Sequence, residues 1–244
     1  MLCIVVPTYN EAGNIGDMLR RLFDLGLVDL YVFIIDDLSP DGTAKIAKGM
    51  SDEFDNRVLV YEREGKMGLG TAYVFGFIKV LEMFSSEYEN FNVAQMDADL
   101  SHNPKYIPEM IKMLDKYEVV VGSRYINSGK LDIRKVIARK LLSRYANKII
   151  RWISGIRVND VTSGFKIFRS GTLERIDWNR IKCTGFGFQV EIAYQCDKNN
   201  FKVYEIPIEF PDRINGCSKM SFRIIWEAIW KISWMRFKHV VRMG

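Results

Sequence analysis

Five short, almost wholly apolar runs recur through the first half of the chain, at residues 2–6, 30–35, 58–61, 91–96 and 119–122. A strand with one wet face alternates apolar and polar residues, whereas a strand covered on both faces reads as a continuous apolar run. Between the runs, Ile15, Met18, Leu19 and Leu22 recur at helical spacing. "SPDGT" supplies turn and cap residues before a second helix, and "NPKYIPEM" places Asn103 as a cap with Pro104 in the first turn. Strand–helix alternation of this kind predicts an α/β fold, with a mainly parallel central sheet flanked by helices. Ligands of such sheets lie beyond the carboxyl ends of the strands. The polar residues gather there: "PTYNE" follows the first run, "DDLSPDGT" the second, "DADLSH" the fourth and "SRY" the fifth.

With 244 residues and 48% apolar composition, the chain can form one large domain with a proper core. Cys3, Cys183, Cys196 and Cys217 form no CxxC pair or tight ladder, so neither a zinc site nor a disulfide framework is expected, and a reducing compartment fits best. "LCIVVP" follows Met1 without a basic region or cleavage site, so no signal peptide is expected. The longest uncharged run, 67–78, is broken by Gly68, Gly70 and Gly76 and falls short of the roughly 20 residues of a membrane span.

The net charge of +5 is unevenly placed. Arg134, Lys135, Arg139, Lys140, Arg144, Lys148 and Arg151 crowd one segment without an acid, and Ile133, Ile137, Leu141, Tyr145 and Ile149 step by four through it. A basic amphipathic helix over about 133–153 is predicted. Its polar face suits solvent, a nucleic acid or an anionic membrane, and the apolar stripe ending at Trp152 favours the membrane. A strand near "SGFKIFR", a helix around "FQVEIAYQC" and a strand at "FKVYEIPIEF" follow. In the tail, Trp226, Trp230 and Trp234 suit the headgroup boundary or packing within the domain.

Asp97 and Asp99 share one face of a strand end. Like charges so placed repel unless a cation or a shared proton relieves them, and Mg²⁺ or Mn²⁺ bridging carboxylates and substrate phosphates would do so. Capping of the next helix by Asp99 or Ser101 is the plainer alternative. Asp36 and Asp37 offer acceptors for ribose hydroxyls or a base edge, or serve as turn acids. "GKMGLG" lacks the Lys-Ser/Thr pair of a P-loop, so its glycines point to close helix packing. "DRINGCSK" sets Arg213 and Lys219 in a glycine-containing loop, where they suit a phosphate or simply solvent.

Taken in order, "VPTYNE", "IDDLSPDGT", "GKMGLGTA", "MDADLSHNP", "GSRY", "RKLLSRYAN", "DVTSGFKIFR", "GFGFQVEI" and "DRINGCSK" closely resemble the dolichol-phosphate mannose synthases, inverting glycosyltransferases of the GT-A fold in glycosyltransferase family 2. The resemblance covers about residues 3–220. It implies one GT-A (Rossmann-like) catalytic domain over 1–215, amphipathic interfacial helices, and a Trp-rich membrane-surface segment over 216–244. By the same resemblance, Pro7, Tyr9, Glu11 and Asp37 hold the nucleotide. Asp97, Ala98 and Asp99 form the DxD motif, with Asp99 on Mg²⁺ or Mn²⁺, Asp97 near ribose or sugar, and Ser101 where some members have a glutamine ligand. Arg124 lies near the phosphates, Arg139 and Ser143 receive the acceptor's phosphate, and Arg213 and Lys219 clamp the donor diphosphate. Gln189 and Glu191 belong to the sugar-side helix.

The implied reaction moves mannose from GDP-mannose to a dolichol or polyprenyl monophosphate, whose second pKa of about 6 makes it largely a dianion at neutral pH, so no strong general base is required. Two alternatives stand beside it: a polyprenyl-phosphate glucose synthase using UDP-glucose, and a non-catalytic subunit binding a nucleotide sugar or lipid phosphate. A nucleic-acid partner is not expected. The implied location is the cytoplasmic face of a membrane, attached peripherally and open to a small membrane-anchoring partner subunit: the endoplasmic reticulum in a eukaryote, the plasma membrane in a prokaryote.

Overall fold

The computed structural model describes residues 1–126, 137–183, 185 and 187–210, and the side chains of 137–139 are not among those described. The proposed tail segment, together with Arg213 and Lys219, therefore lies outside the described residues, as does the side chain of Arg139.

The described residues form a seven-stranded sheet. In chain order its strands are β1 (Leu2–Thr8), β2 (Leu30–Asp36), β3 (Val58–Glu62), β4 (Asn92–Gln95), β5 (Val119–Ser123), β6 (Lys166–Arg169) and β7 (Val203–Pro207). Their spatial order is β3-β2-β1-β4-β6-β5-β7. β1 pairs in parallel with β2 and β4, β2 with β3, and β5 with β7. β6 runs antiparallel to both of its neighbours, β4 and β5. The five apolar runs are thus the strands expected, and the sheet is mainly parallel with one reversed strand.

The uniform apolarity of these runs has its cause in two cores. Cys3, Val5, Phe33, Ile35 and Val93 face one cluster, while Leu2, Ile4, Val6, Val32, Ile34 and Ala94 face the other. Successive residues of a strand point to opposite faces, so both sets must be apolar. Helix α1 (Ile15–Phe23) buries Ile15, Met18, Leu19 and Leu22, the stripe read from its spacing. It shares its side of the sheet with α2 (Thr43–Gly49) and α4 (Ile107–Met113). On the opposite side lie α3 (Leu69–Phe84) and α7 (Gly187–Lys198), with the inner face of α5 (Ile137–Ser154). The five-residue α6 (Ser170–Glu174) follows β6.

The glycines of "GKMGLG" and the helix behind it do what close packing requires. A Cβ at Gly70 would sit 2.3 Å from the carbonyl oxygen of Cys183, and one at Gly76 would sit 2.3 Å from Val5 Cγ1. No real Cβ tolerates such contacts, so α3 lies against β1, Cys183 and Phe188 only because both positions lack a side chain.

Candidate active site

The loops beyond β1, β2 and β4 form one edge, and each contains a non-glycine residue in the left-handed region: Asn10 (φ 60°), Leu38 (φ 56°) and Leu100 (φ 61°). For leucine this conformation is costly, and such strain concentrates at functional sites. It lies at the edge where the sequence gathers its acids.

The two acids after β2 have different partners. Asp36 accepts from Thr8 Oγ1 (2.7 Å), Ser39 N (2.8 Å) and Ser39 Oγ (2.6 Å), which makes it a turn acid. Asp37 reaches across to the next loop: Oδ1 accepts from Arg63, with Nε at 2.6 Å, and Oδ2 accepts from the amides of Met67 (3.1 Å) and Gly68 (3.0 Å). The amides that resemble a phosphate cradle thus serve Asp37. Arg63 was not singled out in the sequence, because its partner lies 26 residues away. Beside this pair, Lys66 Nζ stands 4.0 Å over the ring of Tyr9. Pro7 lies within β1, and Glu11 holds the following loop, its amide donating to Thr43 Oγ1 (2.9 Å) and its carboxylate accepting from Asn14 Nδ2 (2.7 Å).

The turn after β4 presents Asp97, half-buried, and Asp99, buried beside Ala98. Asp97 Oδ1 accepts from Tyr73 Oη at 2.9 Å, and its backbone amide donates to His102 Nδ1 at 3.0 Å. That bond requires His102 to be neutral with its proton on Nε2. Burial pushes the imidazole pKa down, outweighing the upward pull of Asp97 and Asp99, and so favours that form. Asp99 Oδ1 accepts both the hydroxyl (2.5 Å) and the amide (3.1 Å) of Ser101. The Ser101 hydroxyl thus gives its proton to Asp99 and keeps its oxygen lone pairs. Asn103, as expected, caps the next turn by accepting from Lys105 N at 3.0 Å. Among the described residues no group of three or more His, Cys, Asp or Glu side chains is placed to hold a metal. A half-buried and a buried carboxylate in one turn nevertheless suit Mg²⁺ or Mn²⁺, which take one or two protein carboxylates and complete their shell with water and substrate phosphates.

Arg124, after β5, is held rigidly. Its Nε and Nη2 donate to Asp160 at 2.8 and 2.7 Å, Nη2 also donates to Thr162 Oγ1 at 2.7 Å, and its amide donates to Asp160 at 3.0 Å. Burial works to raise the Asp160 pKa, but the Arg124 charge and its hydrogen bonds override it and hold the carboxyl below the usual range. Asp160 stands in the quoted "DVTSGFKIFR" without having been singled out, and its partner is 36 residues distant. Glu205 of β7 braces the same loop through the amides of Asn159 (2.7 Å) and Asp160 (2.9 Å). Asn147 of α5 clasps it from the other side, donating to Asn159 O and accepting from Val161 N. Ser143, one turn earlier on α5, lies 2.6 Å from Tyr125 Oη. Ser143, expected on the acceptor side, and the Arg124 segment thus meet.

The two α7 residues of the sugar-side expectation are both buried and engaged. Gln189 Oε1 accepts from Gln95 Nε2 (2.6 Å) and Lys166 Nζ (2.7 Å). The Glu191 carboxylate accepts from the amides of Lys182 and Cys183, at 2.7–3.0 Å, so it anchors the entry to α7. Lys166 is wholly buried, and burial lowers its pKa to about 8.

Residues 3–177 match the family described as "Glycosyl transferase family 2". The chain is 34% identical over 232 residues to the polyprenol monophosphomannose synthase of Mycolicibacterium smegmatis, covering 94% of this chain and 84% of that one. It is 35% identical over 226 residues to the undecaprenyl-phosphate mannosyltransferase of Micrococcus luteus, covering 92% and 89%. Among solved structures, glucosyl-3-phosphoglycerate synthase from Mycobacterium tuberculosis, in complex with Mn²⁺, UDP-glucose and phosphoglyceric acid, matches with a TM-score of 0.66 at 15% identity, over 96% of this chain and 79% of that one. At that identity the match speaks for the fold alone. The strand order, the carboxylate-bearing edge and these relatives agree: the chain belongs to glycosyl transferase family 2.

Proposed function

We propose that the chain transfers mannose from GDP-mannose to the phosphate of a polyprenyl-type monophosphate, with inversion at the sugar and with a divalent cation. The observation that carries this reading is the similarity, over more than nine-tenths of the chain, to two enzymes named for mannosyl transfer in polyprenyl-phosphate chemistry. Asp97 and Asp99 would hold Mg²⁺ or Mn²⁺, which when bound neutralises charge on the departing diphosphate. Pro7, Tyr9, Glu11 and Asp37 border the place for the nucleotide, with Asp37 and Arg63 forming its floor. Ser143, supported by Tyr125, orients the incoming phosphate from α5, and Arg139 of the same helix, with Arg213 and Lys219, completes the set of cations on the two phosphate groups. A phosphate dianion is itself the nucleophile, so these residues bind and align more than they move protons.

The outer face of α5 supports attachment at a bilayer surface. Leu141, Tyr145, Ile149 and Trp152 form a stripe along it, with Tyr145 63% and Trp152 83% exposed, while Ser143, Ala146, Asn147 and Ile150 face inward. Lys148 is exposed beside that stripe, and no described helix is long and apolar enough to cross a membrane. The helix that carries the acceptor-side serine is thus also the one that meets the lipid.

Radiolabel transfer to a short prenyl phosphate, with GDP-mannose and UDP-glucose compared at equal concentration and with or without Mn²⁺, tests the reading. GDP-mannose is the expected donor, and Asp99→Ala should abolish turnover. Selective use of UDP-glucose would overturn the donor, and donor binding without product would overturn the enzyme reading.

A further inference from the structure

We propose that Tyr73, whose hydroxyl is bonded to the Asp97 carboxylate, is a positioning residue that aims this carboxylate at the bound metal–diphosphate. The inference rests on the reading of Asp97 as part of the donor site.

Tyr73 is fully buried, and its ring stacks between Phe77 (centroids 6.0 Å apart, 24° between planes) and Phe188 (5.5 Å, 11°). With the ring buried against both phenylalanines, its hydroxyl stands 2.9 Å from Asp97 Oδ1. A carboxylate only accepts, so the phenol O–H is the donor of this bond. Two further contacts complete the seat. His102 accepts from the Asp97 amide while its ring stacks on Phe165 (5.3 Å, 12°). Gly164 lies close against both, since a Cβ there would press on His102 Cε1 (3.0 Å) and Asp97 Oδ2 (3.2 Å).

The same helix also meets the nucleotide side. α3 begins just after Met67 and Gly68, whose amides bind Asp37, and one turn later presents Tyr73 to Asp97. Carboxylates that follow two different strands, β2 and β4, are therefore spaced by one rigid element. Gly70 and Gly76 are what let that element lie close enough. A donor bridging the two acids needs this spacing, because misplacement by about 1 Å can cost two orders of magnitude in rate.

Tyr73→Phe removes the hydroxyl and leaves the stack, while Phe77→Leu loosens the stack and leaves the hydroxyl. Calorimetric titration of Mn²⁺ in the presence of GDP, thermal melting, and KM and kcat for GDP-mannose are measured on wild type and both variants. Tyr73→Phe should weaken Mn²⁺–GDP binding by at least about fivefold and raise the donor KM, since a hydrogen bond to a charged group is at stake. Phe77→Leu should lower Tm and leave Mn²⁺–GDP affinity within about twofold, as expected of a packing change alone. Wild-type affinity in Tyr73→Phe, or an equal loss in Phe77→Leu, would overturn the positioning role alone. A wild-type chain that binds neither Mn²⁺ nor GDP would overturn the donor-site reading, and the proposal with it.

Discussion

Arg124 and Asp160 form a buried ion pair in which two guanidinium nitrogens reach the two carboxylate oxygens, at 2.8 and 2.7 Å. Asp160 is fully buried and Arg124 nearly so. The pair joins the end of β5 to the loop that Asn147 of α5 and Glu205 of β7 brace.

Breaking one half of such a pair leaves an uncompensated buried charge. Asp160→Asn should lower unfolding free energy by about 3–5 kcal/mol, measured by urea denaturation. The double variant Asp160→Asn with Arg124→Met should recover much of this loss while remaining inactive.

Gly76→Ala should cost about 1–3 kcal/mol through overpacking, because the new methyl meets Val5 Cγ1 at 2.3 Å and Ile35 Cγ1 at 3.1 Å. The denaturation midpoint should fall with an unchanged m-value. A neutral outcome would mean that α3 can move away from β1.

Lys166 makes a pH-dependent contribution whose sign can be worked out. Its folded pKa, about 8, lies below the ordinary lysine value of 10.5, so between these values the unfolded chain binds more protons. Stability from this group therefore rises with pH across that window, and its burial cost is present in full below it. The buried Cys3 and Cys196 thiols, both pushed up to about 12, act in the opposite sense above pH 9. The comparison to make is wild type against Lys166→Met from pH 7.5 to 10.5. Wild type should gain stability relative to the variant as pH rises.

Trp152→Ser and Tyr145→Ser remove apolar surface from the outer face of α5. Each should weaken binding to vesicles of anionic phospholipid by about tenfold or more, since burying a large apolar side chain is worth about 1.5–3 kcal/mol. Unfolding free energy should change by less than about 0.5 kcal/mol, because neither side chain packs inside the domain. Flotation of wild type and variants with vesicles measures the first effect, and urea denaturation the second.

Local patterns carried much of the fold. The apolar runs became β1 to β5, the stripe of Ile15, Met18, Leu19 and Leu22 became the buried face of α1, and Asn103 capped its turn. These follow from period and composition, which neighbouring residues set among themselves. The reversal of β6 did not show, because a four-residue pattern such as "KIFR" carries no direction of its own, and its direction is set by pairing with β4 and β5. Similarly, "DAD" placed two carboxylates on one edge, while its supports come from elsewhere. Tyr73 lies 24 residues before Asp97, and Arg124 and Asp160 stand 36 apart.

What the sequence by itself determined was the α/β class, the polar edge beyond the strands, the motif set of the family and the paired acids at positions 97 and 99. The tertiary structure decided which acids are occupied and by what: Asp36 by Thr8 of β1 and by Ser39 of its own turn, Asp37 by Arg63 and two amides, Asp97 by Tyr73, and Glu191 by the amides entering α7. A carboxylate's chemistry depends on its hydrogen-bond partners and burial, and in a parallel sheet those partners come from crossovers distant in sequence. Spacing along the chain can therefore name the acids, but only the packed sheet distributes their roles.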